Sequence, residues 1–510
     1  MFSDPKSAAE ITATAVPPGP RGIREIFQVM KGRKKDPLDL YLRLVARYGD
    51  LVYFKVGNIA YALVNDPDAI KWVLQENSAN YVKGPGYERL RDILGHGLLT
   101  SNGDHWKRQR KLAAPAFHQR QVQGSFASIL RMTDEMTDEM TTAWKLRTGP
   151  AIPVDLSAEM NRITLRIASE ALLGSDTTSR SDDVRIHLQE ALKFMDSRGM
   201  VWLRLLDFFL PSGGKAGRQD SNLAFRLEKK FPTKANRDFQ NSVRILHEVV
   251  MQIIQARRSS GDYGTDLLGV MMKSKLEKSE LDSAGPSGGE SGSMNDRQLQ
   301  DEVTSLLMAG HETTATALTW CWYFLGKYPE IHEKLKLEID HKLQGEPPTF
   351  ESLFELTHLS EFFSEVIRYY PPFWRVTRQA LQDDQVLGQF IPAGTTMILC
   401  PLLTHRNPRH WKDPDTFNPD RFNEADSKAR HRFAYFPFGA GPRVCIGANF
   451  AVMEALLVLC RMIQNCEIEI VIGPPLELEA QITLKSKHPL LARVKSRATH
   501  SRTAPAGVPS

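Results

Sequence analysis

The sequence predicts a mainly helical fold with small β-sheets, an α+β chain built as one large domain. Three observations carry this. From about residue 105 to 370 the apolar residues recur with helical spacing. Short β-like runs, LVYFKV and AYALV towards the start and QVLGQFIPAGTTMILC towards the end, read as strands at both margins. The run from Asp296 to Lys327 is apolar nearly all round in its middle, as a helix buried through the centre would be. With 510 residues, 42% of them hydrophobic and 25% charged, the chain can bury a large core, which excludes disorder of the whole.

Taken in order, residues 1–17 are small and polar and are expected to be disordered, and PPGPRG is a stiff, extended lead-in to a single domain over 18–496. DLYLRLVARYG reads as a helix, the two strands follow, and DPDAIKWVLQE opens with a good helix start. The helical span is broken by LPSGGKAGRQDSN at 210–222 and by SAGPSGGESGSMND at 283–296. The latter is a flexible loop and not a linker, since neither side carries a second complete core. Beyond 371 come strand-like pieces, an irregular region, the apolar helix ANFAVMEALLVLCRMI and a C-terminal hairpin in ITLKSKHPLLARV; 497–510 are a disordered tail. No internal repeat is visible.

A net charge of +5 without a dense basic run argues against nucleic-acid binding, while leaving room for an acidic protein partner. Five cysteines, odd in number and unpatterned, make neither a disulfide framework nor a zinc site. The start lacks the apolar core of a signal peptide, and no run of about 20 apolar residues could span a bilayer. A soluble, cytoplasmic protein with no transmembrane anchor is expected.

The segment FPFGAGPRVCIG, residues 436–447, sets one cysteine among glycines, an arginine and two phenylalanines. Alone, Cys445 reads as one more buried thiol. A thiolate is also a soft, strongly donating ligand, suited to a haem iron held by a single sulfur. Glycines at 439, 441 and 447 allow tight turns that bring N–H donors to that sulfur. Phe438 would shield it, and Arg443 is placed for an anionic propionate. The pattern F-x-x-G-x-R-x-C-x-G immediately before an apolar helix resembles that of the cytochrome P-450 family of haem-thiolate monooxygenases, in its soluble bacterial type. Cys321, Cys400, Cys460 and Cys466 have no such surroundings and read as core.

With three further signals, the cysteine pattern occurs in that family's order. AGHETT, residues 309–314, matches its [AG]-G-x-[DE]-T-[TS] pattern. Ala309 and Gly310 are small enough for a flat macrocycle to approach, and Glu312 and Thr313 supply an acid and a hydroxyl for proton relay. A mid-helix threonine also commonly bonds back to an earlier carbonyl; both roles are compatible. His311 falls at the variable position and reads as structural or solvent-facing. Glu365 and Arg368 in SEVIRYYPP, with Arg421 in FNPDRF, resemble the family's buried Glu-Arg-Arg network, with Asp420 where many members carry Glu. Trp106 and Arg110 in WKRQR resemble propionate partners, as does Arg378.

The resemblance, from about 18 to 496, implies the cytochrome P-450 fold, with haem b between the long central helix and the cysteine loop. It implies hydroxylation of a hydrophobic fatty acid, terpenoid or steroid with O2 by a monomer. Electrons would come from a separate ferredoxin or flavodoxin and its NAD(P)H-dependent reductase, docked near Lys107, Arg108, Lys111, Arg120, Arg430 and Arg432. The pocket would draw on Leu98, Leu306, Phe373, Val376, Ile482 and Leu484, and on 200–211; Arg375 could anchor a carboxylate, or contact solvent or a propionate. A haem-thiolate peroxygenase or isomerase and a non-catalytic haem sensor are the alternatives.

Overall fold

The computed structural model describes residues 15–22, 37–145, 153–174, 233–275 and 292–497, apart from 89 and 472–475, together with 25, 186–188 and 190–191. The expected N-terminal disorder up to 14, the run at 200–211, most of the 283–296 loop and the tail beyond 497 lie outside the described residues.

The proline-rich lead-in is ordered ahead of the expected boundary at 18. Pro17 is buried, and the Tyr53 N–H donates to the Pro18 carbonyl at 3.0 Å. An extended proline segment keeps its carbonyls free, so it can lie along a sheet edge. A Cβ at Gly19 would sit 1.8 Å from the Tyr53 carbonyl oxygen, which leaves room only for glycine.

Among the described residues the strands run β1 (Leu51–Val56), β2 (Ile59–Val64), β3 (Tyr81–Lys83), β4 (Val154–Asp155), β5 (Val376–Ala380) and β6 (Asp384–Val386). They continue as β7 (Gln389–Ile391), β8 (Thr396–Leu399), β9 (Cys466–Ile470), β10 (Leu478–Ala480), β11 (Leu484–Ser486) and β12 (Leu491–Ser496). The main sheet has the order β1-β2-β8-β5-β3 and so ties the two ends of the chain together. Its register sets Lys83 of β3 opposite Arg378 of β5. One face packs on the helix Pro37–Tyr48 through Leu40, Tyr41 and Leu44. The other takes the helix Pro67–Lys71, capped by Asp66 as its sequence predicts, and its π-helical continuation Trp72–Glu76.

The C-terminal pairing corrects the sequence reading. ITLKSKHPLLARV does not fold back on itself: β11 pairs with β10, and β12 pairs with β9 and β4. His488 and Pro489 separate two strands that each find an earlier partner, and the short loop at Gln481–Thr483 closes the actual hairpin.

The helical body is organised round the central helix, Asp296–Lys327. Asn295 and Gln298 form a capping box at its start, satisfying donors that the helix leaves open. It packs against the helix Leu156–Leu173 and the last helix, Ala448–Asn465, in a core that includes Trp320, Trp322, Met453 and Leu457. A helix enclosed on all sides can be apolar all round, as the sequence indicated.

Candidate active site

The cysteine loop closes through short backbone bonds. Gly439 N–H donates to the Phe436 carbonyl and Cys445 N–H to the Phe438 carbonyl, both at 2.9 Å. Gly439 and Gly441 adopt φ of +71° and +68°, where a Cβ is strained. At Gly441 a Cβ would also lie 1.9 Å from the Leu74 carbonyl oxygen, so the loop seats directly on the π-helical turn. Gly447 is different: its φ is −93°, and it needs no glycine for its conformation. Its N–H instead acts on the Cys445 thiol, pulling its pKa down, in the role the sequence reading looked for.

Cys445 is the exposed one of the five cysteines; the other four are buried, as expected of core. Enclosing protein nevertheless pushes its thiol up, with Gly447 and Arg110 pulling the other way. A sulfur with accessible surface inside so much protein lines an internal space. The central helix supplies a wall of the same kind. Among its buried neighbours, Leu306, Ala309, Gly310 and Thr313 are half-buried, a spacing of i, i+3, i+4, i+7 that defines one face. At Gly310 a Cβ would meet nothing closer than the Ala168 Cβ at 3.8 Å, so packing against protein does not demand glycine there. Half-buried Leu99, Leu306, Phe373, Ile446 and Ile482, from five separate segments, border one apolar cluster.

Of the six expected pocket residues, Leu306, Phe373 and Ile482 meet there. Leu98 belongs to the same cluster but is buried, its N–H donated to Glu302 at 3.0 Å. Val376 and Leu484 are corrected: each is buried in a separate cluster, against the sheet and the helix Pro37–Tyr48 respectively.

Thr313 donates its hydroxyl to the Ala309 carbonyl at 2.7 Å, the back-bond expected of a mid-helix threonine, and leaves its oxygen lone pairs to accept. The helix is continuous through this point. Glu312 is buried and held by the β10–β11 turn: Thr483 donates to it at 3.1 Å and Lys485 forms an ion pair with it. His311 is not solvent-facing. It is 2% exposed, its ring nitrogens have no protein partner, and burial pushes its pKa down to about 4, so it is neutral.

A cationic cluster stands beside the loop. Arg443 lies 4.1 Å over the Trp106 ring and donates to the Ser101 carbonyl at 3.1 Å and to Asn102 Oδ1 at 3.0 Å. Arg378 is buried and acts on it electrostatically; burial and Arg378 push Arg443 down to about 10. Lys83, which the sequence reading missed, joins them through the β3–β5 register and donates to the Leu98 carbonyl. Burial, Arg443 and Arg378 hold its pKa well below the usual lysine range. Glu302 also acts on Lys83, but burial raises that carboxyl to about 8 and keeps it neutral near pH 7. Arg110 donates to the Val444 carbonyl at 2.8 Å. Inward cations without a carboxylate to balance them fit a group that brings its own carboxylates, and an accessible sulfur in an enclosed space fits its metal. The residues therefore suit haem.

Glu365, Arg368 and Arg421 assemble as predicted. Arg368 donates to both Glu365 oxygens at 2.6 and 2.8 Å, and Arg421 Nε to Glu365 Oε1 at 3.2 Å. The two arginines also bind carbonyls of His405, Pro414, Lys412, Asp413 and Thr416, bracing the region before the loop. Asp420 stands outside the network, paired with Lys334 at the surface. Arg108 is corrected as a docking residue: it is buried, donating to the Ser293 carbonyl. Lys107, Lys111, Arg120 and Arg432 are exposed.

The sequence model of the family described as Cytochrome P450 matches residues 17–492. A cyclooctatin synthase of Streptomyces melanosporofaciens is 30% identical over 452 residues, 88% of this chain and 89% of that one. A cyclooctat-9-en-7-ol 5-monooxygenase of the same organism is 28% identical, covering 86% of each chain. The pentalenene oxygenase of Streptomyces avermitilis is 28% identical, covering 84% of this chain and 86% of its own length. The fold matches the crystal structure of the cytochrome P450DA heme domain with a TM-score of 0.77 at 24% identity, over 96% of this chain and 99% of that one.

Proposed function

The chain belongs to the cytochrome P450 family, and from that premise we propose that this monooxygenase hydroxylates a C–H bond of a hydrophobic small molecule, with electrons from a separate ferredoxin or flavodoxin. Its cofactor is haem b. The bound haem supplies reductive activation of O2 and transfer of one oxygen atom to carbon, the other leaving as water.

In this reading Cys445 Sγ would hold the haem iron, and the Gly447 N–H would temper its basicity. Phe438 shields it, and Gly439 gives the turn its shape. Lys83, Arg378, Arg443, Arg110 and Trp106 receive the propionates. Ala309 and Gly310, both half-buried, would leave room on the central helix for the macrocycle. The Thr313 oxygen, its proton engaged by the Ala309 carbonyl, accepts a hydrogen bond from water and fixes a proton near the reacting centre. Glu312 is the acid that resupplies it, held meanwhile by Thr483 and Lys485.

The observation that carries the reading is the convergence of half-buried Leu99, Leu306, Phe373, Ile446 and Ile482 beside an accessible Cys445. Such a lining suits an apolar guest such as a fatty acid, terpenoid or steroid. Exposed Lys111, Arg120 and Arg432 support an acidic electron carrier. Among the described residues no helix is long and apolar enough to cross a membrane.

The test is spectroscopic. The purified protein, reduced and exposed to carbon monoxide, shows the red-shifted Soret band of thiolate ligation, and Cys445→Ala loses it while keeping its far-UV circular dichroism. An unshifted band in the parent protein would sink the proposal.

A further inference from the structure

Arg375 is an enclosed cation apart from the propionate cluster, and among the described residues no carboxylate pairs with it. Its Nη1 donates to the Tyr41 hydroxyl at 3.4 Å, a long bond, and its guanidinium lies 4.8 Å over the Trp374 ring. Burial opposes its charge, but Tyr41, Cys400 and Tyr61 act the other way and together outweigh it, so the group is held charged. Tyr41 is buried in the helix Pro37–Tyr48 and stacks 6.4 Å from Trp374. The result is a half-open aromatic niche with several unused donors and a permanent positive charge.

The niche adjoins the apolar pocket through one turn. Trp374 donates its indole N–H to the Gln481 carbonyl at 3.0 Å, and Leu484 N–H donates to the Pro372 carbonyl at 2.9 Å. Between them Ile482 borders the pocket cluster, while Leu484 belongs to the cluster of Tyr41 and Trp374. On the other segment Phe373, two residues before Arg375, also borders the pocket. Cation and apolar wall are thus presented by the same pair of segments.

We propose that Arg375, assisted by the Tyr41 hydroxyl, is the receptor for a carboxylate on the substrate. The guest is then an amphipathic monocarboxylic acid whose apolar body lies along Phe373 and Ile482 towards Leu306 and Thr313. This rests on the monooxygenase reading and narrows its substrate class. The surroundings hold Arg375 charged while leaving most of its donors without a partner among the described residues, and a carboxylate supplies a bidentate acceptor for them. Held at that end, the chain is oxidised remote from its carboxyl group.

The experiment uses the haem-loaded protein and two probes, tetradecanoic acid and its methyl ester, titrated by the spin-state change of the haem. The acid is expected to bind at least about tenfold more tightly than the ester. Arg375→Met abolishes that preference while still binding the ester, Arg375→Lys keeps part of it, and Tyr41→Phe reduces it by less. An acid preference that survives in Arg375→Met overturns the proposal, as does equal binding of acid and ester by the parent protein. Should Arg375→Met not fold, a partial fall of the preference in Tyr41→Phe and in Arg375→Lys supports the proposal, and an unchanged preference in both overturns it. A normal carbon monoxide band in each variant separates this failure from failure of the haem-thiolate reading.

Discussion

Two enclosed cation clusters flank the cysteine loop, and they are built on opposite principles. Arg368 and Arg421 surround Glu365, all three buried, and their remaining donors reach backbone carbonyls. Lys83, Arg378 and Arg443 form no ion pair among the described residues, and burial together with the neighbouring arginines lowers the protonation of Lys83 and Arg443. The first cluster is complete within the chain and belongs to the fold. The second is complete only with an anionic guest and belongs to function. The first is fully buried whereas Lys83 and Arg443 of the second are half-buried, and the sharper difference is charge balance.

The comparison breaks most visibly at Glu365. Glu365→Ala leaves two arginines buried without their acid, and the expected loss is about 3–5 kcal/mol in urea denaturation. A loss below about 1 kcal/mol would mean that the carbonyl partners suffice alone. Gly441→Ala is expected to cost about 1–3 kcal/mol, since it combines a positive φ with a clash on the Leu74 carbonyl. That change moves Arg443 without altering a charge, so haem retention falls together with stability.

Arg443→Leu sharpens the contrast because the two readouts separate. Removing a cation from an unbalanced cluster leaves the haem-free protein as stable as before, or more so. The haem, however, transfers to apomyoglobin about ten- to a hundredfold faster, the loss of a charge-assisted hydrogen bond. Equal destabilisation of both forms would assign Arg443 to the fold instead.

The balanced cluster was legible in the sequence, and the unbalanced one only in part. Glu365 and Arg368 share a helical turn, and Cys445, Arg443 and the glycines share one loop, so local spacing places them. The Leu306–Ala309–Gly310–Thr313 face follows from helical periodicity in the same way. Lys83 could not be found so, because it meets Arg378 only through β3–β5 pairing between distant segments. Tyr41 under Arg375, Lys485 on Glu312 and the partners of β12 depend equally on long-range register. For Lys83, Lys485 and β12 a one-residue slip would turn the side chains to the other face, and no local pattern in the sequence fixes these long-range pairings.

Lys83 gives the smallest effect and the most specific one. In the haem-free protein its pKa lies below the unfolded value of 10.5, owing to burial, Arg443 and Arg378. Between those two pKa values the unfolded chain holds more protons than the folded one, so stability rises with pH across that window. At neutral pH the residue therefore costs stability, and haem-free Lys83→Met is expected to be the more stable protein. Its advantage shrinks as pH rises towards 10.5. With haem bound, a propionate favours the charged lysine, so the order reverses: the Met variant loses haem faster near pH 7, and the difference fades as the parent's lysine deprotonates. Denaturation of the haem-free pair and haem transfer from the loaded pair, each from neutral pH upwards, measure both halves. A haem-free advantage that grows with pH would place Lys83 in a balanced pair, and the second cluster would then be no different in kind from the first.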